Sequence, residues 1–208
     1  MTHTLHRTHN IPGGPDDLIV FSMIARGFND VNAGPKLAAI FEILLRHAPV
    51  NAGDDNRGGL LTGETPENIM AGAGPTSYMA AVYTDQRQAE DALRDLKQAD
   101  LGMPVVVTGH REQVFAMLRR VGLKPHTVNL SIGTFGKTES APEPEVLDIT
   151  SMCGHGMVCP DHARHVMEQV RAGRMTPSRA AEDLARPCTC AMFNPTRAEH
   201  VIRAVCHR

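Results

Sequence analysis

Tryptophan is absent from the 208 residues, and aromatic side chains make up only 4% of them. Ring stacking therefore cannot organise the interior, which aliphatic residues and 11 methionines must fill. Neither sign of charge dominates. The balance of 21 Lys+Arg against 23 Asp+Glu leaves a net charge of −2, and the two signs are interspersed. A sustained basic field is missing, which argues against nucleic acid as a partner. Long apolar runs are missing too. The longest near-continuous one, residues 18–25, is broken by Ser22 and falls far short of the roughly 20 residues that cross a bilayer, so no membrane span is expected. His3, His6 and His9 stand where a secretory leader would carry an apolar run, and the expected location is the cytoplasm.

Several chemical signatures are also lacking. There is no Gly-x-Gly-x-x-Gly, no Gly-x-Ser-x-Gly, no Cys-x-x-Cys and no His-Glu-x-x-His. The commonest dinucleotide, hydrolase, thioredoxin and zinc-protease readings lose their support. Gly133-Thr134-Phe135-Gly136-Lys137-Thr138 approaches a phosphate loop, but the first glycine of that motif would fall on Ser131 and a Pro-rich stretch follows instead of a helix.

What is present divides the chain into an N-terminal arm (1–17), an α/β region (18–140) and a helical Cys/His-rich segment (146–208) packed on it. The arm combines histidines with Pro12, Gly13, Gly14 and Pro15 and has no apolar period. Residues 18–24 form an apolar run suited to a buried strand. Leu37, Ile40, Phe41, Leu44 and Leu45 make one helical face over 35–47, opened by Pro35. Residues 51–74 read as a long polar loop of the kind that often binds ligands. Strands are then expected over 78–83, 105–108 and 127–132, with helices over 86–98 and 112–121 between them. Asp85 is placed to cap the first of these helices, and Gly102 and Gly122 to end them. Strand and helix alternating through short connections points to a small, mainly parallel sheet with flanking helices, with a ferredoxin-like split arrangement as the competing topology. Beyond the hinge Ala141-Pro142-Glu143-Pro144-Glu145, helices are expected over 161–172, 177–184 and 195–205. Thr176-Pro177 and Asn194-Pro195 mark two of their starts.

The sharpest chemical feature is four cysteines in two short stretches of that segment. One reads Cys153-Gly154-His155-Gly156-Met157-Val158-Cys159-Pro160, the other Pro187-Cys188-Thr189-Cys190. Outside a secretory compartment, clustered thiols imply metal or redox chemistry rather than disulfides. Thiolate-rich sites select iron–sulfur clusters, zinc or copper(I). Structural zinc sites typically space each ligand pair by about two to four residues. Here Cys188 and Cys190 are separated by one residue and Cys153 and Cys159 by five. The first expectation is therefore an iron–sulfur cluster of the 4Fe–4S type, with zinc as the alternative.

Cys153, Cys188 and Cys190 are the leading ligands, and Cys159, at a helix cap beside Pro160, is the fourth candidate. Gly154 and Gly156 would let backbone approach an inorganic group closely. Three thiolates leave one metal position open for a small-molecule substrate, with His155 moving protons in a redox or lyase-type reaction. The competing function is a zinc- or cluster-stabilised accessory module without catalysis. His162 and His165 read as surface residues and Cys206 as unrelated. His110, Lys137 and the polar run Asp54-Asp55-Asn56-Arg57 are candidates to line a pocket at one edge of the sheet.

Overall fold

The structure is a computed structural model that describes residues 12–133 and 135–206. Most of the arm expected over 1–17 therefore lies outside the described residues. Its end does not: Asp17 is buried at the start of the sheet.

Strand β1 (Leu18–Met23) is followed by α1 (Ala33–Leu45), β2 (Asn51–Asp54) and β3 (Gly58–Gly59), then α2 (Pro66–Ala71) and β4 (Tyr78–Tyr83). Helix α3 (Gln86–Ala99), β5 (Val105–Thr108) and α4 (Arg111–Val121) complete the α/β region. Four more helices follow, α5 (Pro144–Thr150), α6 (Pro160–Arg171), α7 (Pro177–Ala185) and α8 (Pro195–Cys206). Several starts are capped as the sequence indicates. Asp85 accepts from the Arg87 amide at 2.7 Å, Thr176 from Arg179 at 3.2 Å and Asn194 from Arg197 at 3.0 Å.

The sheet order is β3-β2-β4-β1-β5, and every pairing in it is antiparallel. The mainly parallel sheet expected from the sequence is thus corrected. Two features misled that expectation. Residues 51–59, read as loop, hold a buried strand and a tight hairpin, and this extra strand reverses the chain before β4 so that β4 runs against β1. The β1-α1-β2 and β4-α3-β5 units interleave, which is the split βαβ order. The continuous apolar run of β1 reports burial on both faces, a property that parallel sheets share but do not own. Leu18 and Val20 face a core with Leu37, Phe41, Leu93 and Met117, while Ile19 and Phe21 face a second core with Ile149, Val166, Leu184 and Ile202. The α5–α8 helices therefore cover the sheet face opposite α1, α3 and α4.

Two further expectations change. The hinge shortens, because Pro144 already opens α5 and Glu143 pairs with Arg164 of α6 at 2.8 Å. Residues 127–132 belong to no strand among the described residues; their alternation is that of a strand, but β5 ends the sheet with β1 as its partner. No helix among the described residues is long and apolar enough to cross a membrane.

The helical layer is locked to the sheet by buried polar contacts. Arg197 of α8, 1% exposed, reaches Asp17 at 3.7 Å and Asp148 of α5 at 3.5 Å. Asn194 donates to Asp17 at 2.8 Å. Removing the guanidinium strands a buried carboxylate, so Arg197→Ala is expected to cost about 3–5 kcal/mol in urea unfolding. A loss under about 1 kcal/mol, the range of an exposed pair, would contradict the lock.

Candidate metal centre

The two cysteine stretches are the turns that connect the last helices. After α5, the Cys153 amide donates to Thr150 O at 3.2 Å and the Gly156 amide to Cys153 O at 3.0 Å, folding residues 150–156 into successive turns. Gly156 takes φ +68°, and nothing lies within 4 Å of where its Cβ would be. Glycine there serves the turn and not, as the sequence suggested, a close approach. After α7, the Cys188 amide donates to Ala185 O at 3.0 Å and the Ala191 amide to Cys188 O at 3.1 Å, with Ala191 left-handed at φ +56°.

The close approach occurs elsewhere. Ala191 sits on the β2–β3 hairpin, where a Cβ on Gly53 would come 2.7 Å from the Ala191 Cβ. Only glycine lets the cysteine loop pack this tightly on the strand. The same loop is tied down by Asn51, whose side-chain amide donates to Phe193 O at 3.0 Å.

These turns bring three of the four predicted sulfurs together. Cys153, Cys188 and Cys190 are 3%, 1% and 0% exposed. Cys188 and Cys190 Sγ lie 3.5 Å apart, and Cys188 also hydrogen-bonds Cys153. Cys159 is not among them. It occupies the N-cap of α6 and is exposed, as expected of a residue that starts a helix rather than of a ligand. Cys206 stands apart on α8, its Sγ 3.6 Å from Met167 O.

The thiol trio has an internal charge order. The Cys188 hydrogen bond pulls Cys153 down to about 5, against the opposing push of burial, aided by the Met157 and His155 amides and the His155 charge. Cys190 falls to about 6 through the Cys188 hydrogen bond, again against burial, with the Met192 amide and the His155 ring assisting. Cys188, which bonds both neighbours and is itself buried, is pushed up. The middle thiol thus holds its proton more tightly than the two at its sides. His155 is pulled down by burial but pushed up more strongly by its hydrogen bond to Cys190 and by the charges of Cys190, Asp55 and Cys153, for a net rise.

Two site residues come from the sheet. The ligand atoms of Asp55, His155 and Cys190 all lie within 4.8 Å of one another. Asp55 sits in the β2–β3 turn, which the buried Asp54 pins by accepting from the Asn56 amide at 3.3 Å and the Tyr78 amide at 3.1 Å. Tyr78, at the start of β4, packs edge-on against Phe21 with centroids 5.6 Å apart and places its hydroxyl 4.0 Å from Met192 Sδ. Burial, then the Cys190 charge, pushes its phenol up, so it keeps its proton. Asp55 was singled out in the sequence only as part of a polar run, and Tyr78 only as a strand residue; no spacing signal joins either to the cysteines.

The other sequence candidates fall elsewhere. His110 caps α4 just after β5, at the sheet edge opposite the β2–β3 hairpin, and Lys137 precedes a short 3-10 turn at 138–140. His110 thus lies at the other edge of the sheet from Asp55. His162 pairs with Asp183 at 3.2 Å between α6 and α7, and His165 is exposed, which keeps both on the surface. No known protein family, no curated protein and no solved structure matches the chain.

The charge order has a direct readout. In metal-free protein the ultraviolet thiolate absorbance is expected to persist at pH 7 and to disappear between about 6 and about 5, whereas ordinary thiols are protonated below about 8.5. Because these folded-state values lie below the unfolded ones, their contribution to stability is complete above about 8.5 and is lost as pH falls through about 6 to 5. In Cys188→Ala the transition should move upward; an unchanged transition would contradict the role given to the middle thiol.

Proposed function

We propose that the chain is a metal-dependent protein in which Cys153, Cys188 and Cys190 hold one thiophilic ion, zinc before others, with His155 and Asp55 facing its remaining position. The observation that carries this reading is the 3.5 Å between Cys188 and Cys190 Sγ. Two thiolates bonded to one tetrahedral zinc at about 2.3 Å lie roughly 3.8 Å apart, close to this spacing. In a cluster each thiolate binds a different iron, and the inorganic core spreads the sulfurs beyond contact. The donor set also fits, since thiolate and imidazole both suit zinc.

A bound zinc with three protein ligands supplies Lewis acidity at its fourth position. The chain's own residues account for the rest. Two thiolates stand ready, so loading needs only the Cys188 proton to leave. His155, held beside Cys190 and Asp55, is placed to take or give a proton at a small polar molecule entering from its exposed side. Tyr78 offers a neutral hydroxyl as donor from the sheet side. Hydration, dehydration or elimination matches these groups.

The iron–sulfur reading keeps one specific support, the amides of His155, Met157 and Met192 directed at Cys153 and Cys190, because hydrogen bonds to sulfur tune such clusters.

Anaerobic purification with zinc, iron and acid-labile sulfide analysis separates the two. About one zinc per chain in colourless protein, lost in Cys153→Ser and Cys190→Ser but retained in Cys159→Ser, is the expected result. Brown protein with iron and sulfide in similar amounts overturns the single-ion reading in favour of the cluster. Colourless protein that carries neither zinc nor iron and sulfide, and takes up neither zinc nor cobalt(II), overturns both.

A further inference from the structure

Cys190 belongs to two groups of ligand atoms at once. On one side its sulfur lies 3.5 Å from Cys188 Sγ, inside the thiol trio. On the other side the ligand atoms of Asp55, His155 and Cys190 all lie within 4.8 Å of one another, and the His155 ring hydrogen-bonds the Cys190 sulfur. Three separate turns supply this second group. Asp55 comes from the β2–β3 turn, His155 from the turn after α5 and Cys190 from the turn after α7. Each turn is closed by its own backbone bond, from the Arg57 amide to Asp54 O at 3.0 Å, the Gly156 amide to Cys153 O at 3.0 Å and the Ala191 amide to Cys188 O at 3.1 Å.

We infer that Asp55, His155 and Cys190 form a second metal site, with the Cys190 sulfur bridging the ion of the thiol trio and a second divalent ion of the zinc or cobalt type. The inference rests on the first ion proposed above, since a bridge needs both ends. Charge supports it. A divalent ion on three thiolates keeps one negative charge, the Asp55 carboxylate beside it adds another, and a second divalent ion brings the sum to zero. Uncompensated charge is costly where the sulfurs are buried. The donor types select the ion, because imidazole and thiolate suit zinc or cobalt, whereas magnesium and calcium take oxygen. Distance allows it too. Ligand atoms at about 2.0–2.3 Å from one tetrahedral zinc lie roughly 3.3–3.8 Å apart, and the group closes to that span by small rotations of Asp55 and His155, which reach solvent, around the buried Cys190. Having one shared sulfur and two solvent-facing donors, this site fills after the trio and more weakly, so protein as purified holds the first ion alone. The second ion takes His155 as a ligand, and the proton transfer given to His155 therefore belongs to the chain loaded with one ion.

Equilibrium dialysis of the full chain, as purified, against rising zinc tests the inference. Binding should climb from one ion per chain to two, the second held at least tenfold more weakly than the first. Asp55→Ala and His155→Ala should each keep the first ion and lose the second, and the retained ion shows that the variants fold. In the cobalt(II)-loaded chain the paramagnetic resonance signal should grow over the first equivalent and fall over the second, as the shared sulfur couples the two ions. Saturation at one ion that Cys153→Ser abolishes and both alanine variants keep overturns the second site while leaving the first. A second ion that persists in both alanine variants, or two ions without coupling, overturns the bridge. A chain that binds no ion overturns the metal reading, and this inference with it.

Discussion

The fit of one short loop against one short hairpin governs this molecule. Residues 188–194 lie on β2 and β3 because Gly53 leaves room for Ala191, Asn51 holds the Phe193 carbonyl and Asn194 reaches the buried Asp17. Each contact satisfies or replaces a group that would be costly to bury alone. Together they fix where Cys188 and Cys190 point, and they place Asp55 and Tyr78, which belong to the sheet, beside sulfurs that belong to the helical layer. Arg197 secures the same junction one turn into α8.

The chemistry follows from that junction. Three thiols in a dry pocket would ordinarily all be neutral, because burial disfavours charge. Here the hydrogen bonds of Cys188, aided by backbone amides from both turns and by His155, pull the outer two thiols down, while Cys188 itself is pushed up. The histidine of this pocket stands on the exposed rim while the sulfurs lie beneath. Buried sulfurs beneath a reachable rim are what the proposed metal-assisted chemistry on a small molecule would require.

Helix starts were legible wherever a capping side chain preceded a proline or an apolar period, as at Thr176 and Asn194, because capping is a local interaction. Strands β1, β4 and β5 were legible from their apolar composition. Strand direction was not, since it depended on β2, whose four residues Asn-Ala-Gly-Asp carry no strand signature and are buried for reasons of packing and side-chain bonding. Residues 127–132 show the converse, a strand pattern on residues that belong to no described strand. Cys153, Cys188 and Cys190 were legible as a group because a Gly-flanked and a Pro-bounded turn isolate them. Asp55 and Tyr78 were hidden, as tertiary contact alone brings them to the site, and Cys159, close to Cys153 in sequence, stands apart from the three sulfurs because it occupies the exposed N-cap of α6.

Whether the three sulfurs meet around one ion is most directly measured by X-ray absorption at the zinc edge of the zinc-loaded full chain. Three sulfur neighbours at about 2.3 Å and one nitrogen or oxygen at about 2.0–2.2 Å are expected. A zinc environment without sulfur, or native protein whose metal is iron with other irons as near neighbours, would contradict the single thiolate-bound ion on which the functional reading rests.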